Sequence, residues 1–88
     1  MQILNEVYNV IEEHRYSNSS KVMAKAVLSA CSCGYDAPPL LAMSGFDDEN
    51  KERIFKLINI CEQVDFSNAA QDEMIGKIIK LFPELKNS

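Results

Sequence analysis

Apolar and polar positions alternate along this chain with the period of an α-helix. From Ile3 to His14, the residues Ile3, Leu4, Val7, Tyr8, Val10, Ile11 and His14 fall on one side of a wheel stepped at about 100° per residue, with Asn5, Glu6, Asn9, Glu12 and Glu13 opposite. This predicts an amphipathic first helix. The cluster Ser17, Asn18, Ser19, Ser20 follows, rich in side-chain oxygens that bind backbone amides, and predicts a turn and the N-cap of a second helix.

In that second helix, Lys21 to Cys33, the polar positions Lys21, Lys25, Ser29 and Ser32 occupy only about a quarter of the wheel. A helix so nearly apolar belongs at the centre of a bundle, and Ala24, Ala26 and Ala30 are small enough to let neighbours approach closely. Gly34 is placed to end the helix in a left-handed conformation. Pro38 and Pro39 then interrupt the chain, and a short helix from about Pro39 to Met43 follows, since proline suits a first helical turn.

Ser44 and Gly45 break the short helix, Phe46 is expected to plug the core, and Asp47 to cap a fourth helix running to about Gln63. Asp48 and Glu49 in its first turn favour the helix dipole. Its core stripe is read as Ile54, Leu57, Ile58, Cys61 and Val64, leaving Phe55 and Ile60 on opposite flanks. Ser67 caps a last helix bearing Ala70, Met74, Ile75, Ile78, Ile79, Leu81 and Phe82 across about half its wheel, and Pro83 ends it. No strand-like alternation or internal repeat is present. The expected fold is all-α, a compact bundle of four helices plus one short helix with the second helix central, forming a single domain over residues 1–88.

Two sequence features run through this pattern: a helix of small residues ending Gly34, Tyr35, Asp36, and the later steps Leu40, Leu41, then Phe46, Asp47, Asp48, then Phe82, Pro83, Glu84, Leu85. In them the chain resembles small all-helical bacterial domains found in mobile-element sequences, over about residues 22 to 85. The resemblance implies an all-helical fold and a mobile-element origin. It implies no activity, and no site residue is carried over from it.

Composition narrows the function classes. Hydrophobic residues are 47% and charged residues 25% of the chain, which suits a folded globule, and the net charge of −4 opposes general attraction to a phosphate backbone. No nucleic-acid partner is expected: the short helix after Pro38 offers no basic or amide side chain to base edges. No membrane association is expected either, because no apolar run reaches the roughly 18 residues that span a bilayer. The odd cysteine count and the acidic N-terminal segment, without a secretory pattern, point to the cytoplasm.

Cys31, Cys33, Cys61 and His14 are the residue types of a zinc site, but residues two apart on a helix diverge by about 200°, so Cys31 and Cys33 converge only if the helix unwinds. Free, packed cysteines are the reading adopted, with no metal and no cofactor. No catalytic residue is assigned: Cys31 lies at a helix C-terminus, where the dipole disfavours a thiolate, and the acidic pairs read as surface charge. His14 is read as a half-buried or capping residue.

What remains is surplus apolar surface on the second, fourth and fifth helices. The expected function is a non-enzymatic interaction or regulatory module that contacts another protein or a second copy of itself. The expected interface residues are Phe55 and Ile60, joined in a patch by the last helix or by Tyr35 to Met43. A domain regulated by a small ligand or metal is the alternative.

Overall fold

The structure is a computed structural model that describes the backbone of residues 1–87 and the side chains of residues 1–86. Among these residues the elements are α1 (Gln2–Glu13), α2 (Asn18–Cys31), α3 (Leu40–Met43), α4 (Asp48–Ile58) and α5 (Asn68–Leu81), with 3₁₀ turns at Ile60–Glu62 and Pro83–Asn87. The all-α fold is as the periodicity predicts.

Three helix starts are fixed by the side chains the sequence marks. Ser17 Oγ accepts from the Ser20 amide at 3.1 Å, Asp47 Oδ1 from the Asn50 amide at 2.8 Å, and Ser67 Oγ from the Ala70 amide at 3.1 Å. Each satisfies an amide that the first helical turn leaves without a partner. α1 has no side-chain cap of this kind; instead Asp65, from the loop before α5, accepts from the Gln2 amide at 2.7 Å and sets a carboxylate at the positive end of the helix.

α2 packs against α1, α3, α4 and α5 and is the centre of the bundle. Its Met23, Ala24, Val27 and Leu28 are fully buried, together with Ile3, Leu4, Val7 and Ile11 of α1 and Met74 and Ile78 of α5. Phe46 is buried as expected. So is Leu85, which the helical periodicity does not reach because Pro83 has already ended α5; the 3₁₀ turn folds it back under that helix. The surplus apolar face of α5 is largely absorbed in the same way, with Ile75, Ile79 and Leu81 packed partly against the core.

Two helix ends differ from the sequence reading. Gly34 does not adopt a positive φ. α2 stops one step earlier, at an extended Ser32 (φ −154°, ψ 134°), whose Oγ accepts from the Gly34 amide at 3.1 Å. A serine hydroxyl that offers the backbone this alternative ends the helix without a left-handed residue.

α4 ends at Ile58, not near Gln63. There Asn59 leaves helical geometry and its Nδ2 donates to the Phe55 carbonyl at 3.1 Å. The 3₁₀ turn that follows brings residues three apart into line, so Ile60 falls under Leu57 and is 5% exposed. Ile60 is therefore a core residue and not an outward flank. Ile58, Cys61 and Val64, all assigned to the core stripe, are exposed, Ile58 at 72% and Val64 at 107%.

The buried face of α4 is also rotated. Arg53 is only 19% exposed at its side chain, with Nη1 donating to Asn50 Oδ1 at 2.6 Å and Nε lying 3.7 Å from Glu6 Oε1 on α1. Its aliphatic stem occupies a position on the α1-facing side that an apolar count assigns to solvent. The true stripe is Arg53, Ile54, Leu57 and then Ile60, with Ile58 turned out.

Candidate functional site, an apolar groove between α2 and α4

The rotation of α4 leaves a groove beside α2. Its floor is Ala26, Ser29 and Ala30, where small side chains leave room. One wall is formed by Ala37, Pro38 and Met43, from the segment that enters α3 and from α3 itself. The other is formed by Ile54, Leu57 and Ile58 of α4 with Ile60 and Cys61 of the 3₁₀ turn. The volume is about 400 Å³. None of these residues is charged, and the Ser29 hydroxyl is already committed, donating to the Ala26 carbonyl at 2.9 Å.

Large apolar side chains stand bare around this groove. Leu40 and Leu41, between the wall residues Pro38 and Met43, are 82% and 84% exposed. Phe55 is 65% exposed and lies one helical turn before Ile58, at a spacing that makes the two side chains neighbours. Phe55 does not itself line the groove, and Ile60 lines it only from within the core. The Tyr35 to Met43 segment does supply apolar groups next to α4, whereas α5 supplies none to this groove.

No protein-family model, curated protein or solved structure matches this chain. What the groove can bind is therefore argued from its own chemistry.

A second depression, of about 440 Å³, lies at the corner of Arg15, Tyr16, Ser17, Asn18, Lys21, Leu81, Phe82 and Glu84. Its polar groups are largely occupied with one another. Arg15 Nη2 donates to Tyr16 Oη at 2.9 Å, with the guanidinium 4.9 Å from the ring centre, and Lys21 Nζ lies 3.9 Å from Glu84 Oε2. Ser17 Oγ is used in capping α2.

The cysteines are not brought together with His14 into a ligand set; no group of three or more His, Cys, Asp or Glu that could hold a metal ion occurs among the described residues. The reading of packed cysteines holds only for Cys31, which is half-buried; Cys33 lies beyond the end of α2 and Cys61 on the groove wall, and both are exposed. Burial, and then the charge of Asp72 on α5, push the Cys31 thiol up to about 11, so it is protonated near neutral pH and a poor nucleophile. His14 is exposed at the end of α1, where its amide donates to the Val10 carbonyl at 3.2 Å. Burial, followed by the neighbouring Glu12 carboxylate, also raises the Tyr8 hydroxyl above its ordinary value. Among the described residues no helix is long and apolar enough to cross a membrane.

Proposed function

We propose that this chain is a non-enzymatic protein-interaction module whose working surface is the groove between α2 and α4. One observation supports the reading above others: an uncharged groove of about 400 Å³ is lined by the exposed Ile58, and the segment that forms its other wall carries the exposed Leu40 and Leu41. Contiguous apolar surface of this kind on a small domain is normally covered by a partner. The lining offers little for catalysis, since the Ser29 hydroxyl is bonded to its own helix and no carboxylate, histidine or lysine stands beside the Cys61 thiol in the groove. Recognition here rests on shape and apolar burial.

A photoreactive amino acid placed at Ile58, in cells that express the chain, tests this directly. The expected result is a small set of discrete protein adducts from position 58 and none from an equivalent probe at the exposed, remote Glu13. Equal labelling from both positions, or none from either, removes the groove as a docking surface.

A second reading is an apolar small-molecule site. The groove volume lies within the roughly 300 to 1,000 Å³ of known ligand pockets, and its lining is predominantly apolar. Native mass measurement of the purified chain separates the two, because a retained ligand adds a fixed mass to the monomer.

A further inference from the structure

The side chains best placed to fill this groove are carried by the chain itself. We propose that its occupant is a second copy, docked about a two-fold axis so that Leu40 and Leu41 of each copy seat in the groove of the other; this rests on reading the groove as a docking surface. In a two-fold pairing the same patch is used on both chains, so a projection and a recess side by side satisfy each other reciprocally. α3 has that arrangement: Met43 lines the groove while Leu40 and Leu41 on the same short helix stand in solvent.

The area is sufficient. Leu40, Leu41, Phe55 and Ile58, at 65% to 84% exposure, together present on the order of 600 Å², and with the groove lining this approaches the ~800 Å² per partner of a standard stable interface. The charge pattern agrees. Two chains of net charge −4 repel at long range, but no charged residue lines the groove, so the pairing sets no like charges opposite one another there. A partner recognised through its charge finds no counter-charge in the same lining. Cys61, exposed on the groove wall, comes next to the seated leucines of the other copy.

Sedimentation of the full chain from micromolar to millimolar concentration gives the first test. The wild type is expected to be a dimer over the upper part of that range, and Leu40→Ser with Leu41→Ser to weaken association by about 100-fold while the helical circular dichroism is unchanged, because both side chains are already in water. Disulfide trapping gives the second. In a Cys33→Ser background, Leu41→Cys is expected to yield a covalent dimer under mild oxidation, and adding Cys61→Ser to abolish it. A monomer at every concentration, a leucine double variant that still dimerises, or trapping that is absent or indifferent to Cys61 each overturns the proposal. Monomeric sedimentation together with Ile58 adducts to other proteins removes the second copy and keeps the docking surface; monomeric sedimentation with no adducts removes both.

Discussion

Two faces of α2 both carry alanines and put them to opposite use. On one face Ala24, Val27, Leu28 and Cys31 follow one another at helical spacing; the first three are fully buried, and Asp72 of α5 is close enough to act on Cys31. On the other face Ala26, Ser29 and Ala30 look into a groove. Alanine permits close approach but does not enforce it, and the partner decides. α5 packs against α2 on the side that carries Cys31, whereas α4 turns its buried side toward Glu6 and leaves a groove beside Ala26 and Ala30.

The largest expected effect separates the packed face from the open one. Leu28→Ala removes a side chain that is 1% exposed and should cost about 2–5 kcal/mol, combining lost burial with a residual cavity. Ile58→Ala, at 72% exposure, should shift monomer stability by less than about 0.5 kcal/mol. Urea unfolding of both variants, under conditions where the chain is monomeric, checks this. Comparable losses at the two sites would mean that the α4 wall is packed as tightly as the core.

Overpacking sharpens the same contrast. Ala24→Leu adds volume where no solvent reaches and should destabilise by about 1–3 kcal/mol. Ala26→Leu has an outlet, since Ala26 lines the groove, and should cost clearly less. The sequence alone treats these alanines as equivalent, and it is the α4 wall that divides them. Thermal melts of the two variants in parallel decide the matter.

The face that α4 buries departs from its apolar periodicity for a local reason. Helix positions, caps and the core face of α1 are legible because apolar periodicity and Ser or Asp capping oxygens act over a few residues: Ile3, Leu4, Val7 and Ile11 are buried as their spacing predicts. On α4 the face includes Arg53, whose stem packs inward while its head reaches Glu6 and Glu49, so counting only apolar residues rotates the stripe toward Ile58. Asn59 then ends the helix through its own side chain, and the 3₁₀ turn carries Ile60 inward. Phe55 is exposed as its flank position implies, yet the groove next to it depends on three segments meeting, which no single wheel contains.

The packed stem of Arg53 is expected to contribute about 1 kcal/mol to stability. If Arg53 contributes chiefly through its stem, Arg53→Ala should destabilise by about that amount and Arg53→Met should recover most of it. The Nε atom is buried without a hydrogen bond and only 3.7 Å from Glu6 Oε1, so little is lost with the charge. Chemical denaturation at low and high salt tests the point: a Met variant as weak as the Ala variant, with wild-type stability falling in salt, would make the ion pair the dominant contribution.

The smallest effect concerns the thiols, of which Cys31 lies on α2, Cys33 just beyond its end and Cys61 on the groove wall. Cys31, on the α5-facing side, has its thiol raised from an ordinary value of 9.0 to about 11, by burial first and Asp72 second. An acid whose folded-state value is raised binds its proton more tightly in the folded chain, so folding is supported fully below about pH 9 and that support is lost as pH climbs toward 11. The residue is only half-buried, and solvent screening holds the contribution to about 1 kcal/mol or less. Wild type and Cys31→Ser should therefore show urea midpoints that converge as pH rises from 8 toward 11, because only the wild type loses this contribution. The same asymmetry appears in reactivity. With a thiol-specific reagent at pH 8, Cys33 and Cys61 should be modified quickly and Cys31 slowly, since its thiolate fraction is small and its sulfur is half-covered. Rapid modification of all three would mean that α5 does not hold closely to α2, and the packed face would then be no tighter than the open one.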